Sequence, residues 1–404
     1  MKMSKLFKGD KTLWVVFLLL SIISLVEVYS SIGLEAYTHE NSGGPTRLFL
    51  RHLLIVLASW IIVIVCSRIN YRFFSRFAVI GLWASVVLLA VTLMIGGRWL
   101  PIPVVNQFQP SEVAKIALVL FIARMLTLKK DQAGEKNTFF YLLAFIVLVV
   151  FFVLPENFST AALLFVSCYL MLFFGGVDRR LWWIVLLAMM VVAAIGLGIA
   201  INKSNSDSDN KHVIERTSTW VNRIKAFSED PDPTVITQEN MARMAIAGGG
   251  VFGKGPGNTT YARLMTQSHN DFIYAIIIEE TGLVGGILVL VLYSFFFFRC
   301  MRLAWRANGR FGALVAAGLG TMIYLQAMAN MGVAVGVLPV TGQTLPFISY
   351  GGTAYLFLGL GLGIIQSVAA DVYSKKEVQE VHEVQENAEG NEEMTITDDT
   401  DMKQ

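Results

Sequence analysis

The residue best suited to acid–base chemistry is Asp271, which follows His269 and Asn270 in the segment SHNDF. It stands at the start of an apolar run, 272–298, that would measure about 40 Å as a single helix at 1.5 Å per residue. The hydrocarbon core of a bilayer is only about 30 Å thick, so we expect EETG at 279–282 to end a shorter helix. Asp271 would then lie near the membrane surface, where partial dehydration can make a carboxylate a general base. The alternative is an aspartate that caps a helix.

A second group of polar residues lies in FQPSEVAK, 108–115. Pro110, Ser111 and Glu112 have the form of a helix start, with Ser111 as the cap and Glu112 in the first turn. Lys115 follows one turn later, on the face that carries Ser111. We interpret Lys115 as a cation that can hold an anionic group. The alternative is a lysine that extends to the membrane interface.

A glycine-rich segment, GGGVFGKGPGN at 248–258, contains a further cation, Lys254. Glycines let backbone N–H groups approach an anion closely, so this segment is a candidate anion site. A flexible turn is the alternative. The other candidates stand in GGRWLPI, LPENFST, the loop before 248 and TLPFISYGGT, and they are Arg98, Glu156, Arg216, Arg223 and Ser349.

The composition indicates that most of these 404 residues face lipid. Charged residues make up 15% and hydrophobic residues 55%, whereas about 25% of an average soluble domain is charged. Ten runs approach the roughly 20 apolar residues of a membrane-spanning helix: 13–32, 48–66, 77–95, 113–128, 139–154, 160–174, 181–201, 272–298, 311–337 and 345–369. The sequence therefore predicts an all-α integral membrane protein of about ten transmembrane helices, with a large extracytoplasmic loop between helices seven and eight.

Lysine and arginine concentrate in alternate short loops, which predicts that those loops are cytoplasmic. They are Lys2, Lys5, Lys8 and Lys11; Arg68, Arg72 and Arg76; Lys129, Lys130 and Lys136; Arg179 and Arg180; Arg299, Arg302, Arg306 and Arg310; Lys375 and Lys376. Both termini are then cytoplasmic. The predicted organisation is a cytoplasmic N-terminus (1–12), helices one to seven (13–201), an extracytoplasmic loop with the catalytic motif (202–271), helices eight to ten (272–370) and a disordered acidic tail (371–404).

This orientation places the candidate residues together on the extracytoplasmic side. A site there has no ATP or nucleotide sugar, so its substrates must come from the lipid or from the cell envelope. The net charge of +2 gives no reason to expect a nucleic acid partner.

Several sequence blocks, in order along nearly the whole chain, resemble the SEDS family (shape, elongation, division and sporulation) of peptidoglycan polymerases. The blocks are GGRWLPIPVVNQFQPSEVAKIAL, PENFSTAALL, RTSTWVNRIKAFSEDPDP, GGGVFGKGPGN, SHNDFIYAIIIEETG and LPVTGQTLPFISYGGT. DFIYAIIIEE and QTLPFISYGG are most similar to the division branch; the elongation and sporulation branches are the alternatives. Two details depart from the family pattern. The segment before the histidine, where the family usually has a Pro-Glu pair, is Met265-Thr266-Gln267-Ser268, and the PD-x-GT block has Glu156 and Ser159 in this chain.

The resemblance implies a glycosyltransferase that polymerises lipid II. An acceptor 4-hydroxyl attacks the anomeric carbon of a lipid-linked donor, and undecaprenyl pyrophosphate leaves. Asp271 would be the base, and the residues that hold substrate and pyrophosphate would be Arg98, Glu112, Lys115, Glu156, Arg216, Arg223, Lys254, His269 and Ser349. A divalent cation such as Mg²⁺ is the candidate cofactor, with its ligands unidentified.

The implied partners are a class B penicillin-binding transpeptidase and other proteins of the division complex. The implied location is the cytoplasmic membrane, at the septum for a division protein. Two other functions fit ten helices: a lipid II flippase, which needs a polar path through the membrane midplane, and a non-catalytic scaffold of the division machinery.

Overall fold

The computed structural model describes residues 7–31, 45–95, 99–100, 108–204, 237–261 and 271–374. The α-helices in these ranges are α1 (Lys11–Ser31), α2 (Pro45–Arg68), α3 (Tyr71–Ile95), α4 (Pro110–Leu128), α5 (Lys136–Val153), α6 (Phe158–Phe174), α7 (Arg179–Ser204), α8 (Gln238–Gly249), α9 (Ile273–Arg306), α10 (Arg310–Ala334) and α11 (Gly352–Ser374). Within the described ranges the only β pairing is an isolated bridge between Leu100 and Phe108.

Ten of these helices overlap the ten predicted apolar runs, with ends that differ by several residues, and α8 is an additional short helix in the predicted outer loop. Seven described helices are long and apolar enough to cross a membrane, and α6 is a shorter apolar helix of 17 residues. The prediction of an all-helical membrane protein is confirmed. One boundary is wrong: the last run was expected to begin at 345, but α11 begins at Gly352, after an irregular loop.

Two helices, α4 and α10, form the centre of the bundle. α10 packs against α4, α6 and α9, and most of its length is buried. α4 is buried at nearly every position, including Glu112 and Lys115 near its N-terminus. By contrast, α2 exposes a row of large apolar residues such as Leu54 and Ile61. Side chains that project from α4 and α10 are therefore held by protein on most sides, whereas α2 presents its surface to lipid.

The predicted break in α9 is confirmed at Gly282, whose φ of +73° and ψ of −173° are not helical. After the kink, residues 283–306 are enough for about 36 Å of helix. The kink therefore lies at the end of the bundle opposite Arg306. In the segment before the kink, the hydroxyl of Tyr274 donates to the carbonyl oxygen of Gly286 at 3.0 Å. These residues would lie about 18 Å apart in a straight helix, so the first segment of α9 folds back sharply.

At the end of the bundle that carries Arg306, Asp10 joins three elements that are distant in the sequence. Its backbone N–H donates to Gln366 Oε1 at 2.8 Å, and its Oδ2 accepts from Arg299 Nε at 2.6 Å and from the Tyr373 hydroxyl at 2.8 Å. Its Oδ1 accepts from the backbone N–H of Thr12 at 2.8 Å, at the start of α1. The start of α1, the end of α9 and the end of α11 therefore lie at one end of the bundle. That both termini are cytoplasmic stays a prediction.

Burial by itself would raise the pKa of the Asp10 carboxyl, which is almost fully enclosed. The hydrogen bonds from Arg299 and Tyr373 and the positive charge of Arg299 outweigh that effect, so the pKa lies below its ordinary value. Asp10 is accordingly held as a carboxylate.

Two glycines of α11 face α2. A Cβ on Gly363 would lie 2.6 Å from the Cβ of Cys66, and one on Gly359 would collide with Ser59. Gly361, in contrast, faces open space beside Lys115 and Glu112.

Candidate active site

The first component of the site is the N-terminal turn of α4. Gln109 is the N-cap and Pro110 occupies the first helical turn, because a proline fixes φ at a helical value and needs no hydrogen-bond acceptor there. The prediction that Ser111 caps this helix is therefore wrong. Glu112 lies in the first turn as predicted, and its Oε1 is 2.7 Å from Lys115 Nζ in an ion pair that is almost completely buried.

The ammonium group of Lys115 also contacts α10. Its Nζ donates to Gln326 Oε1 at 3.2 Å. The other end of the same amide donates from Gln326 Nε2 to the carbonyl oxygen of Thr344 at 3.1 Å. Lys115 is thus connected through one side chain to the loop between α10 and α11. Lys115 is buried and ion-paired, so it does not extend to the membrane interface as the alternative interpretation had it.

The second component is Asp271, which directly precedes the N-cap residue Phe272 of α9. Its carbonyl oxygen accepts from Asn330 Nδ2 at 2.9 Å, and the same nitrogen donates to the carbonyl oxygen of Gln343 at 2.7 Å. The Oδ2 atom of Asp271 lies beside Gly342, 3.8 Å from where a Cβ on that glycine would stand. Gly342 has a φ of +66°, a conformation that glycine adopts without strain. The loop can therefore pass close to the carboxylate.

The loop 335–351 enters the bundle as irregular backbone, so its polar groups need partners inside the protein. Side chains supply them: the hydroxyl of Tyr293 donates to the carbonyl oxygen of Pro346, and Ser24 Oγ donates to that of Ile348 at 2.8 Å. Phe347, between them, is fully buried with a φ of +62°. A bulky residue adopts that conformation only when its surroundings fix it, so the loop is held in one shape.

Ser349, a predicted substrate residue, lies within this loop. Its Oγ accepts from the backbone N–H of Leu345 at 2.8 Å, and its own N–H donates to the carbonyl oxygen of Leu345 at 3.0 Å. These bonds close a turn, so Ser349 shapes the loop from within.

The polar network continues into α6. Gln343 Nε2 donates to Thr160 Oγ1 at 2.8 Å, and Asn157 caps the helix by accepting from the backbone N–H groups of Ser159 and Thr160. Glu156, one residue earlier, is buried, and its Oε1 accepts from Thr92 at 2.5 Å. The LPENFST block therefore anchors the loop to α6 and α3.

The glycine-rich segment packs against the kink of α9. The N–H groups of Lys254 and Gly255 donate to the carbonyl oxygens of Glu279 and Glu280 at 3.0 and 2.9 Å. A Cβ on Gly253 would lie 2.6 Å from the backbone nitrogen of Gly282. The glycines permit this close approach. The segment is therefore packed against α9 and is not a flexible turn, and at least two of its N–H groups are bonded to α9 and cannot bind an anion.

Lys254 forms an ion pair with Glu279, whose Oε1 lies 2.7 Å from its Nζ. The same oxygen accepts from the N–H of Thr260 at 2.8 Å, and the Oε1 of Glu280 accepts from Gly257 N–H at 3.2 Å and from Ser30. The two glutamates, which the sequence analysis treated only as a helix break, thus connect the segment 254–260 to α9, and Glu280 also bonds α1.

Comparison with known proteins decides the family. The model of the FtsW, RodA and SpoVE proteins, described as a cell cycle protein, matches residues 10–374. The chain belongs to this family.

Curated FtsW-type relatives match over most of their length. The probable peptidoglycan glycosyltransferase FtsW of Enterococcus hirae is 28% identical over 93% of this chain and 96% of the relative. The protein of the same name from Thiomicrospira cyclica is 32% identical over 88% and 90%, respectively. The peptidoglycan glycosyltransferase MrdB of Escherichia coli is 28% identical over 89% and 93%.

Two solved structures share the fold. A chain of a peptidoglycan synthase complex that coordinates polymerisation and crosslinking superimposes with a TM-score of 0.72, at 22% identity over 90% of this chain and 98% of the other. The rod shape determining protein RodA of Thermus thermophilus superimposes with a TM-score of 0.62 at the same identity and coverage.

In this FtsW/RodA/SpoVE chain, the predicted site residues fall into three sets. Asp271, Glu112 and Lys115 are connected through α10. Lys254, Glu156 and Ser349 are part of the supporting contacts around them. Arg98, Arg216, Arg223 and His269 lie outside the described residues, so their roles stay predictions.

Sequence reasoning missed Gln326 and Asn330, the two residues of α10 that connect the set. A signal was present in TMIYLQAMANMG: two amides one helical turn apart in an apolar helix, where buried polar groups are costly. It also missed Arg243 of α8, whose guanidinium lies over Gly336 at the end of α10, 3.0 Å from where a Cβ would stand.

The described residues contain no group of three or more His, Cys, Asp or Glu side chains that could hold a metal ion. Glu112 is paired with Lys115, and Glu279 with Lys254. The donor set in these ranges therefore does not fit a metal held by protein ligands alone.

Proposed function

We propose that this protein is a peptidoglycan glycosyltransferase that polymerises lipid II on the extracytoplasmic face of the cytoplasmic membrane, during septal wall synthesis. The names of the FtsW relatives support the activity. The observation that carries the proposal is that neighbouring turns of one helix, α10, bond the backbone carbonyl of Asp271 and the buried ammonium group of Lys115.

In the proposed reaction, Asp271 removes the proton from the 4-hydroxyl of the acceptor sugar. The hydroxyl oxygen forms a bond to the anomeric carbon of the donor, the bond from that carbon to the phosphate oxygen breaks, and undecaprenyl pyrophosphate leaves with the bonding electrons. A general base of this kind typically accelerates a reaction by about 10²–10⁴-fold.

Lys115 is proposed to stabilise the pyrophosphate. An ammonium group has three N–H donors, and two are directed to Glu112 and Gln326. A pocket beside it lies between α4, α10 and α11 and is lined by Ile116, Phe357 and Gly361. The pocket is narrow and Lys115 is buried beside it, so the proposal requires the side chains that line the pocket to move apart before a phosphate group attached to a polyprenyl chain can enter from the lipid.

The test is lipid II polymerisation by the purified protein and by Asp271→Asn. Asparagine retains the size and the capping ability of aspartate but not its basicity, so we expect polymer formation to fall by at least about 100-fold, with an unchanged melting temperature. Near-normal polymerisation by Asp271→Asn would refute the catalytic role. Transbilayer movement of lipid II without any polymerisation by the wild-type protein would favour the flippase, and neither activity would favour the scaffold.

We also propose a class B penicillin-binding transpeptidase as the partner, because the structural relative belongs to a complex that coordinates polymerisation with crosslinking. Coupling the two reactions favours proximity of the two proteins. Co-purification in mild detergent tests the proposal; separate elution, with polymerisation unaffected by the partner, would contradict it.

A further inference from the structure

Gln326 and Asn330 are two amide side chains on an otherwise largely apolar helix. They are four residues apart, so they lie on the same face of α10, and both are almost completely buried. A buried polar group inside a membrane bundle lowers stability unless its hydrogen bonds are made. Their partners therefore indicate what the two amides contribute.

Each amide joins one group of the proposed site to one carbonyl of the loop 335–351. Gln326 accepts from Lys115 Nζ and donates to the carbonyl oxygen of Thr344. Asn330 donates from the same nitrogen to the carbonyl oxygens of Asp271 and Gln343. Because Gln343 and Thr344 are consecutive, the two amides hold one stretch of loop while each also holds a different functional residue.

The helix between the two amides sets the separation of those residues. Four residues of α-helix rise by about 6 Å, and α10 is enclosed by α4, α6 and α9. The ammonium group of Lys115 and the backbone of Asp271 are therefore both hydrogen-bonded to the same helix, which fixes their positions relative to each other. A displacement of about 1 Å in a catalytic geometry can cost about 100-fold in rate, so such an element has a direct effect on the reaction.

We propose that Gln326 and Asn330 are positioning residues: Gln326 orients Lys115 toward the pyrophosphate, and Asn330 fixes the backbone of Asp271 so that its carboxylate meets the acceptor hydroxyl. Neither touches substrate. This inference rests on the proposed function, and it assigns the two amides separate effects, on binding of the anionic lipid and on the chemical step.

The experiment compares Gln326→Met with Asn330→Leu, which remove the hydrogen bonds while nearly retaining the volume. We expect Gln326→Met to raise KM for lipid II by about tenfold with kcat within about threefold of wild type. We expect Asn330→Leu to lower kcat by at least about tenfold with KM within about threefold. Thr321→Val is the matched control, because Thr321 is a third buried polar residue of α10 and its hydroxyl has no partner in the described structure.

A second measurement does not need catalysis. Binding of undecaprenyl pyrophosphate to the detergent-purified protein should weaken about tenfold in Gln326→Met and stay unchanged in Asn330→Leu and Thr321→Val. Melting temperatures of all variants identify any loss of folding.

If the two amides only stabilise the fold, both variants should lower the melting temperature and the fraction of active protein to a similar extent. The molecules that remain folded should then have an unchanged KM for lipid II and an unchanged affinity for undecaprenyl pyrophosphate. That result, or wild-type constants in both variants, would overturn the inference. Failure of the proposed function is distinguishable: the wild-type protein would make no polymer, while weaker product binding by Gln326→Met alone would still support the orientation of Lys115.

Discussion

The two ends of this bundle each contain a buried polar network, and the networks differ in how completely they are bonded. At one end, both carboxylate oxygens of Asp10 and both of its backbone groups have partners, including Arg299 and Gln366. We call this set, with Tyr373, the Asp10 network. At the other end, the Lys115–Asp271 network comprises Glu112, Lys115, Gln326, Asn330 and Asp271 with the loop 335–351.

The second network is less complete. Two of its atoms, Asn330 Oδ1 and the hydroxyl oxygen of Thr341, are buried without a hydrogen-bond partner among the described groups, as is the hydroxyl of Ser111 next to Glu112. An unsatisfied buried polar atom costs about 1–3 kcal/mol. The Asp10 network thus holds helices together, whereas the Lys115–Asp271 network leaves buried polar atoms unbonded, as expected if the proposed function has selected it for reactivity over stability.

The first prediction concerns which network faces outward. Phe252, beside the kink, is 84% exposed, and Gln132 is exposed at the opposite end. The native cysteines Cys66, Cys168 and Cys300 are buried, so background labelling should be low. In intact cells, an impermeant thiol reagent should label Phe252→Cys and leave Gln132→Cys unlabelled until the membrane is permeabilised. Labelling in the reverse order would place the Lys115–Asp271 network in the cytoplasm.

The second prediction separates activity from stability at the Lys115–Asp271 network. Replacing a buried ion pair by uncharged residues of similar volume is often neutral for stability. We expect Glu112→Gln/Lys115→Met to retain its melting temperature and lose about 100-fold in kcat/KM for lipid II polymerisation, the loss typical of one electrostatic stabiliser. Single Lys115→Met, which leaves Glu112 alone, should be destabilised as well. Full activity in the double variant would remove Lys115 from the site.

The third prediction is the opposite result at the Asp10 network. Asp10→Asn keeps a helix-capping side chain but loses the charge that pairs with Arg299. Hydrogen bonds to charged groups contribute about 1.5–3 kcal/mol, so thermal unfolding in detergent should show a loss of that order. Polymerisation per folded molecule should be unchanged. A fall in kcat without a loss of stability would show that the two ends are coupled.

The fourth and smallest effect is a pH dependence. The folded protein lowers the pKa of Asp10 below the ordinary value of 3.8. Its stabilising contribution is therefore fully present above that value and is lost as the pH falls through the lower folded pKa. The difference in melting temperature between wild type and Asp10→Asn should be constant from neutral pH to about pH 5 and shrink toward zero below pH 3.8. A difference that persists in strong acid would mean that charge is not its source.

Much of the fold could be read from the sequence because bilayer thickness imposes a length and a polarity on every span. The ten apolar runs and the break at Gly282 could both be predicted from the sequence. The start of α11 could not be predicted from the sequence. The run from 345 onward is apolar, but its carbonyl groups are satisfied by Tyr293 and Ser24 from other helices, so that stretch need not be helical.

For the candidate site, the sequence by itself determined the residue types, since a carboxylate beside an apolar helix and a lysine in the first turns of another already suggest a base and a cation. Only the tertiary structure decided which residues act together. Lys115 and Asp271 are far apart along the chain, and Gln326 and Asn330 of α10 connect them, whereas Lys254 is paired with Glu279 at the kink. The physical reason is that buried polar groups must find partners, and which partners are within reach depends on how the helices pack.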